Sequence, residues 1–326
     1  MNRLGAKLGL FLLGLLAFNL LVARFLGVLE RDVDKRGYAF DKYRWEEFYQ
    51  LPQGDSLAIL FLGSSHAYRG IDPLLIDSLL GVNTFNLGSS GQTPLTSYHV
   101  LKNATEHIYP KMVVIDLYFY AFMEENQLAN GGNNWLELQA SGAKWSFLFN
   151  AFDPYEIAAL TLLPILRKKN NVRYTLRKYL LGDDHLDDAG TYQGKGYVRQ
   201  DSRISIEALQ AESFYDQLEL EEDWVLAKHE KGLKKLVAFC QEKGIEVRCI
   251  SAPMPAISFQ KIKDRQRVQQ YLSDLTRELG IPYGDYTQNP NLGLQDELHF
   301  YDDNHLNHAG VKLWNKALIP FLSIEQ

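Results

Sequence analysis

Residues 54–66 read GDSLAILFLGSSH, and this stretch contains a predicted strand and two candidate serine nucleophiles. The apolar run at 57–62 is typical of a strand buried in a parallel sheet. Gly63 permits a tight turn directly after it. Ligands of open α/β sheets bind at the carboxyl ends of the strands. We therefore predict that Ser65 lies at the functional edge, whereas Ser56, in the letters GDSL, lies at the opposite end of the strand.

Further apolar runs predict more strands, and helical patterns lie between them. The predicted strands are 57–62, 84–87, 112–117 and 246–251. The predicted helices are 73–80, 96–108, 223–243, 262–279 and 309–322. Alternation of strands with helices is typical of a parallel sheet that is covered on both faces. The predicted fold class is a three-layer, doubly wound α/β domain, which is flavodoxin-like in outline.

The N-terminal segment predicts a membrane anchor. Residues 8–23 are apolar except for Asn19, and the apolar character continues beyond them. A spanning helix needs about 20 residues. We favour an uncleaved anchor at 1–29 over a signal peptide, because a cut after Ala23 would place Leu21 where small residues are preferred.

The charges before this segment predict its orientation. Arg3 and Lys7 precede the apolar run, and basic flanks stay on the cytoplasmic side. The domain at 30–326 is therefore expected outside the cytoplasm, in the periplasm or the extracellular space, on a single-pass protein of the cell membrane.

The strand–helix alternation breaks between about residues 118 and 222. This stretch holds five aromatic residues within 145–155, a basic run within 167–178 and an acidic run within 183–188. Connections in α/β units have about 2 to 6 residues, so it is too long for a loop. We predict a mostly helical insertion that caps the domain. The basic run is interpreted as a solvated helix face or, alternatively, as a contact for anionic polymer or lipid head groups.

Composition bounds the partners. The formal net charge of -6 argues against a nucleic-acid binder, whose basic side chains would neutralise phosphates.

The state of the two cysteines is open. Cys240 and Cys249 fall on a predicted helix and the strand after it, so a disulfide and two buried free thiols are both possible.

A cluster near the C-terminus raises a metal alternative. It consists of His299, Asp302, Asp303, His305 and His308. Imidazoles and carboxylates at close spacing can ligate zinc. No second ligand cluster accompanies them, so this is the weaker interpretation, and we predict neither a metal nor a cofactor.

A serine nucleophile needs a base and a group that orients the base. The C-terminal stretch YDDNHLNHAG supplies Asp302 and His305, and the stretch NLGSSG supplies Gly88 after the second strand. Taken singly, each has a simpler structural role, such as a helix cap. Taken together at one sheet edge, they predict a catalytic Ser65, His305 and Asp302, with the N–H groups of Ser65 and Gly88 as oxyanion donors.

These blocks resemble those of the SGNH (GDSL-like) hydrolase superfamily. The matching patterns are G-x-S after the first strand, N-L-G-x-S-G after the second and D-x-x-H-x-N-x-x-G before the last helix. Ser65, Gly88, Asp302 and His305 match one by one. The resemblance covers roughly residues 56–118 and 223–322, and it implies an α/β fold and chemistry on esters.

The anchor, the Gly-Ser-Ser form and the insertion further resemble the membrane-anchored branch that includes D-alanyl-lipoteichoic acid transfer proteins. Members of that branch are often associated with membrane-bound O-acyltransferases. The resemblance therefore implies an acylated glycan or envelope polymer as substrate and an integral membrane O-acyltransferase as a partner.

One block departs from the superfamily pattern. Its third block, G-x-N-D, contributes an asparagine to the oxyanion hole, but residues 113–120 read VVIDLYFY. Losing one such donor costs about 10²- to 10³-fold in kcat. Tyr118 and Asn86 are candidate replacements, although packing or turn roles are the simpler interpretation. Ser64, His66, Asn86 and Tyr118 complete the candidate pocket.

The sequence thus predicts a membrane-anchored ester hydrolase or acyltransferase that uses a Ser-His-Asp mechanism. The alternative is a catalytically weak or inactive SGNH-like partner protein that binds a polymer or a membrane-bound O-acyltransferase. Completeness of the triad favours the enzyme, and the absent asparagine favours the partner.

Overall fold

The computed structural model describes residues 3–33, 40–52, 57–163 and 190–323. Its strands are β1 (Leu57–Leu62), β2 (Thr84–Asn86), β3 (Pro110–Asp116), β4 (Thr191–Gly194), β5 (Tyr197–Arg199), β6 (Glu246–Ser251) and β7 (Tyr283–Asp285). Ser56 and the basic and acidic runs at 167–178 and 183–188 lie outside the described residues, so the predictions about them stay predictions.

Five strands form one parallel sheet in the order β2-β1-β3-β6-β7. This flavodoxin-like order confirms the predicted doubly wound fold. The chain winds in one direction from β1 to β2 and in the other from β1 through β3 to β7. Loops that follow β1 and β3 therefore diverge at the carboxyl edge of the sheet and leave a crevice between them.

Helices precede, connect and follow these strands in the described residues. They are α1 (Arg3–Val33), α2 (Phe40–Tyr49), α3 (Ser65–Gly70), α4 (Pro73–Leu80), α5 (Pro94–Ala104), α6 (Gln127–Glu137), α7 (Gly142–Ala151), α8 (Pro154–Thr161), α9 (Ile206–Gln210), α10 (Phe214–Gln217), α11 (Ala227–Lys243), α12 (Ala256–Lys261), α13 (Arg265–Glu278), α14 (Asp296–His299) and α15 (His308–Leu322). Short 3₁₀ turns occur at Phe119–Phe122 and Pro290–Leu292.

Both faces of the sheet are buried, because alternate side chains of the strands pack into two separate clusters. The first cluster includes Leu60 and Val113 of the sheet, Leu101 of α5, Phe147 of α7 and Leu236 of α11. The second cluster includes Phe61 and Val114 of the sheet, Ile76 of α4, and Val311 and Trp314 of α15. Every residue of β1 is buried, which explains its continuous apolar sequence.

Some elements differ from the predictions. Strand β7 was not predicted because its three residues are partly exposed and one is a glycine. Helix α3 was not predicted because six residues show no clear helical period. The predicted helix at 262–279 begins at Arg265, and a separate short helix, α12, precedes it.

The two cysteines are free and buried. Cys240 lies on α11 and Cys249 lies on β6. Burial raises the pKa of Cys240 to about 12 and also raises the pKa of Cys249. Both are therefore apolar packing groups in this fold, and the disulfide alternative is not realised.

The described part of the predicted insertion is mostly helical, but it also contains the β4–β5 hairpin. This hairpin contacts the edge of the sheet, where the N–H of Asn86 donates to the carbonyl of Lys195 at 2.9 Å. A Cβ atom on Gly196 would lie only 1.8 Å from the carbonyl oxygen of Asn86, so only glycine fits there. The hairpin thereby covers the edge strand β2.

Helix α1 carries the apolar N-terminal segment. Within the described residues it is the one helix long and apolar enough to cross a membrane, over Gly5–Phe25, and only 11% of that window is buried. Whether it spans a bilayer stays a prediction.

Candidate active site

The loop after β1 presents Ser65 at the start of a helix. Gly63 has a φ of +137°, and a Cβ atom there would lie 2.8 Å from Cβ of Asp116, so the turn requires glycine. Ser64 caps α3 by accepting from the N–H of His66 at 3.3 Å. Ser65 is the first residue of α3, and its N–H has no hydrogen-bond acceptor among the described residues. This N–H is available to an incoming oxygen.

The side chain of Asp302 holds the loop before α15 in a turn. Its Oδ1 accepts from the N–H groups of Asn304 at 2.9 Å and His305 at 2.7 Å, which closes a tight turn. The N–H of Tyr301 donates to the carbonyl of His305 at 3.1 Å. The turn therefore folds the chain back between Asp302 and His305, so that the two side chains lie within hydrogen-bond distance of each other.

The remaining residues of this motif fix the helix that follows. Oδ1 of Asn307 accepts from the N–H of Gly310 at 3.1 Å and caps α15. A Cβ atom on Gly310 would lie 2.4 Å from the carbonyl oxygen of His299, so glycine is required for this close approach. The asparagine and glycine of D-x-x-H-x-N-x-x-G are thus architectural residues.

The structure brings the three predicted catalytic side chains together. Nε2 of His305 lies 2.6 Å from Oγ of Ser65, and Nδ1 of His305 lies 2.8 Å from Oδ2 of Asp302. The carboxylate can only accept, so Nδ1 of the neutral imidazole carries the proton and Nε2 accepts from the serine hydroxyl. This is the connectivity of a serine nucleophile, a base and an orienting acid.

Aromatic rings hold the imidazole of His305 in place. Tyr301 stacks on it with ring centroids 5.5 Å apart and an interplanar angle of 9°, and His66 contacts it edge-on at 4.9 Å. The guanidinium of Arg69 lies 5.2 Å from the ring centre of Tyr301 on α3's side of the site. The base therefore cannot turn away from Ser65 without displacing packed rings.

The charges of the site support these roles. Burial alone would raise the pKa of Asp302, but the charge of His305 and the hydrogen bonds from His305 and Asn304 outweigh it and lower the pKa to about 2. The carboxylate is thus ionised at neutral pH. Burial, together with the charge of His305, lowers the pKa of His66 well below its usual value, so His66 stays neutral.

The oxyanion side differs from the expectation. The N–H of Gly88 donates to Oδ1 of Asn86 at 2.9 Å instead of being free. The physical reason is that Nδ2 of Asn86 is held by the carbonyls of Ala67 at 2.9 Å and Ile71 at 3.1 Å, which aims Oδ1 at Gly88. The same contacts occupy the Asn86 amide as a donor. Asn86 therefore ties β2 to α3 and does not replace the missing asparagine in this structure.

Gly88 also has a packing role. A Cβ atom there would lie 2.8 Å from Cβ of Ala67 and 3.2 Å from the carbonyl oxygen of Gly63. The loop after β2 therefore packs directly against the nucleophile loop, and any side chain at this position would push the two loops apart.

The other candidate pocket residues surround the triad. The hydroxyl of Ser64 donates to Oδ2 of Asp116 at 3.4 Å, so its side chain points into the domain. His66 and Tyr118 stack on each other at 4.1 Å. The hydroxyl of Tyr118 pairs with that of Tyr215 at 2.9 Å. His66 and Tyr118 line a small apolar cavity, whose described lining includes neither Ser64 nor Asn86.

Two residues that the sequence did not single out hold the loop after β2, residues 87–92, which we call the oxyanion loop. Arg44 of α2 is fully buried, and its Nη1 donates to the carbonyls of Leu87, at 3.3 Å, and of Gly88. Its Nη2 donates to Oδ1 of Asn134 on α6 at 2.8 Å, and Nδ2 of Asn134 donates to Oγ of Ser89 at 2.6 Å. Only a tertiary contact assigns this role to Arg44, since an arginine within a helix has no local motif.

Asp116, at the end of β3, is a further buried group beside the site. Its Oδ1 accepts from the N–H of Ala252 at 3.1 Å. Burial raises its pKa to about 7, against the hydrogen bonds from Ala252 and Ser64. Asp116, at the end of β3, thus links Ser64, in the turn after β1, to Ala252, directly after β6.

Two histidines of the metal alternative are engaged elsewhere. Nδ1 of His299 accepts from the N–H of Gln295 at 2.8 Å, and Nδ1 of His308 contacts the hydroxyl of Tyr197 at 3.1 Å. Their positions leave His305 with the serine and the aspartate, so the structure favours the triad over the metal interpretation.

No family model and no curated protein matches the chain. Its structural neighbours include a GDSL-like lipase from Bacteroides thetaiotaomicron, which is 13% identical, with 87% of this chain and 98% of that chain covered and a TM-score of 0.41. They also include a catalytic mutant of an acetylxylan esterase from Geobacillus stearothermophilus, which is 13% identical, with 85% and 97% covered and a TM-score of 0.40. At this level of similarity, a function for this chain depends on its own residues.

Proposed function

We propose that the chain is a membrane-anchored ester hydrolase or acyltransferase of the SGNH type. The observation that carries the proposal is the hydrogen-bonded series from Ser65 through His305 to Asp302, with distances of 2.6 and 2.8 Å. It lies at the crevice between the ends of β1 and β3, where this sheet order binds ligands. A helix cap or a surface histidine would not require residues 65 and 305 to meet.

The geometry supports a two-step acyl transfer. Oγ of Ser65 attacks the ester carbonyl carbon while Nε2 of His305 takes the hydroxyl proton. Asp302, held ionised, stabilises the resulting imidazolium. His305 then gives its proton to the departing alcohol oxygen, which leaves an acyl group on Ser65. Water or a sugar hydroxyl, deprotonated by His305, then attacks the acyl carbon. The bond between this carbon and Oγ of Ser65 breaks, Oγ recovers the proton from His305, and the outcome is hydrolysis or transfer respectively.

The developing oxyanion needs donors close to Ser65. The N–H of Ser65, at the first turn of α3, has no acceptor in the described part of the chain and supplies one of them. The N–H of Gly88 supplies a second if an oxyanion displaces Oδ1 of Asn86 as its acceptor, since a charged acceptor forms the stronger hydrogen bond. One free donor and one occupied donor predict slow turnover.

Acyl esters of an envelope glycan or polymer are the proposed substrates. The apolar helix α1 and its basic flank support a location at the outer face of a membrane, where such polymers lie. The resemblance to the branch that includes D-alanyl-lipoteichoic acid transfer proteins supports the same class. It also supports a membrane-bound O-acyltransferase as partner.

Turnover by the full chain in lipid nanodiscs tests the proposal. We expect release of 4-nitrophenol from 4-nitrophenyl acetate, and deacylation or transacylation of acetylated sugar oligomers that mass spectrometry can follow. Ser65→Ala, compared with the exposed-turn variant Ser90→Ala, should abolish both reactions. Equal turnover by the Ser65→Ala chain would contradict the assignment.

A specific observation favours a second candidate function. Asn86 occupies the Gly88 N–H, and no asparagine lies directly after β3, where residues 117–120 read LYFY, so the oxyanion side is incomplete. This supports a catalytically inactive partner that binds a polymer or a membrane-bound O-acyltransferase. Co-purification with a multispanning acyltransferase, without ester turnover by the folded chain, would favour this function over the enzyme.

A further inference from the structure

Asn19 interrupts the apolar segment of α1, and the fold gives it a partner. Every other residue between Lys7 and Arg24 is apolar or glycine. Asn19 is buried, and its Nδ2 donates to the carbonyl of Leu162, directly after α8, at 3.1 Å. An unpaired amide is costly in hydrocarbon, so this bond satisfies two polar groups at once.

The position of this contact along α1 is informative. Asn19 lies six residues before Phe25, the end of the apolar span, which corresponds to about 9 Å at 1.5 Å per residue. Ala23, one turn further on the same face, is also buried. Half of a bilayer's hydrocarbon core is about 15 Å thick. If α1 spans the bilayer, the end of α8 therefore lies below the membrane surface.

Helix α8, which ends at this contact, and helix α7, which precedes it in the chain, expose large apolar side chains. Trp145 and Phe149 are spaced i, i+4 on α7 and stack at 6.4 Å, and Tyr155 and Leu162 are spaced i, i+7 along α8 and its end. Each is between 50% and 66% exposed. Exposed patches of this kind mark interaction sites, and tryptophan and tyrosine are enriched at membrane–water interfaces.

We propose that the α7–α8 surface, formed by Trp145, Phe149, Tyr155 and Leu162, inserts into the outer leaflet beside α1. This inference rests on the membrane anchoring in the proposed function. Its support is the contact of Leu162, the last residue of this set, whose carbonyl accepts from Asn19 inside the apolar span of α1. The bilayer contacts the domain at this surface in the manner of an interfacial helix pair.

The charges near this surface fit an interfacial position. Asp153 and Glu156 lie at the start of α8, six or more residues before Leu162, and the proposal places this end of the helix nearer the water. Their carboxylates accept from the backbone N–H groups of this capping box, and Glu156 also accepts from the N–H of Leu128. Two membrane contacts, rather than one flexible tether, would fix the height and orientation of Ser65 relative to the bilayer.

Fluorescence quenching by lipids with brominated acyl chains tests this inference. The chain has five tryptophans, and the other four are at most 7% exposed, so Trp145 is the one within reach of lipid. We expect the full chain in brominated vesicles to lose the emission that Trp145 contributes. The Trp145→Phe chain should lose little of its remaining emission.

Two reporters in the Trp145→Phe background separate the possible failures. Phe11→Trp places a tryptophan within the apolar span of α1, and Leu313→Trp places one on α15, which packs on the opposite face of the sheet from α7. The inference predicts quenching at Phe11→Trp and none at Leu313→Trp.

Quenching at Phe11→Trp together with an unquenched Trp145 that aqueous iodide reaches would overturn the inference and leave the anchor standing. That result would point to water or a protein partner at the α7–α8 surface. Absence of lipid quenching at both Phe11→Trp and Trp145 would overturn the anchor as well, without affecting the ester chemistry.

Discussion

The nucleophile side and the oxyanion side of the site are built in different ways. On the nucleophile side, short local turns place Ser65 and His305, and each turn is stabilised by residues within its own motif. On the oxyanion side, the loop around Gly88 is held by Asn86 within the loop and by Arg44 from a distant helix. Catalytic residues that local turns position can be predicted from sequence motifs. A geometry that distant residues determine cannot be predicted in this way.

The largest test of this comparison removes the nucleophile. Ser65→Ala deletes the hydroxyl that His305 contacts, and we expect kcat on a 4-nitrophenyl ester to fall by about 10⁴-fold or more. Ser90→Ala, in an exposed turn of the oxyanion loop, should keep near wild-type rates. A Ser65→Ala chain that folds and retains its activity would show that the triad is architectural.

Asp302→Asn tests the orienting acid. An amide cannot stabilise the imidazolium and favours the wrong tautomer of His305, so we expect kcat to fall by up to about 10⁴-fold. Because the pKa of Asp302 is about 2, the wild-type carboxylate is ionised from about pH 4 upward, and the defect should persist over that whole range. Steady-state rates between about pH 5 and 9 measure it.

Asp303→Asn is the matched control for Asp302→Asn, since Asp303 is adjacent but forms no hydrogen bond to His305 among the described residues. Equal losses in both variants would mean that the loop's fold, not the carboxylate, is what matters.

Arg44→Lys tests the oxyanion side. A lysine keeps the charge but cannot bridge the carbonyl of Gly88 and Oδ1 of Asn134, because it lacks the planar fork of arginine. We expect kcat to fall by about 10- to 100-fold while phosphonate labelling of Ser65 persists. Arg248→Lys, at a partly buried pair with Glu246, is the control, and an equal loss there would refute a positioning role for Arg44.

Asp116→Asn has the smallest expected effect on rate and a measurable effect on stability. Burial raises the folded-state pKa of Asp116 to about 7, above its ordinary value of 3.8. Between these values the folded chain holds a proton that the unfolded chain has lost, so the free energy of unfolding falls as pH rises from about 4 to 7. At about pH 8 this costs the wild type on the order of 4 kcal/mol.

An asparagine cannot ionise, so the Asp116→Asn chain should melt at a higher temperature than the wild type at about pH 8. The difference should shrink towards about pH 4. Thermal unfolding in detergent measures this. Parallel pH dependences for the two chains would contradict the assignment of this proton to Asp116.

The difference between local and distant determinants also explains which parts of the fold could be predicted from the sequence. The bounds of β1 and α4 agree with the apolar pattern, because buried strands and capped amphipathic helices carry their own signals. Helix α5 begins two residues earlier than predicted, since Thr93 caps it and Pro94 starts it. Strand β7 and the β4–β5 hairpin depend on neighbours that a local pattern does not reveal.

Within the site, the sequence predicted the meeting of Ser65, His305 and Asp302 across 240 residues because each follows or precedes a recognisable element. It could not predict that Asn86 occupies the Gly88 N–H, since that depends on where α3 places its last carbonyls. The role of Arg44 could not be predicted either, because it depends on contacts with Gly88 and Asn134, which are distant in the sequence.

Labelling with a serine-reactive phosphonate, followed by peptide mass spectrometry, shows whether Ser65 is an activated nucleophile. We expect a single adduct on Ser65, which is lost in Ser65→Ala and His305→Ala and kept in Ser56→Ala. Absence of an adduct on folded wild type, or an adduct that persists in Ser65→Ala, would contradict the claim that this serine is an activated nucleophile.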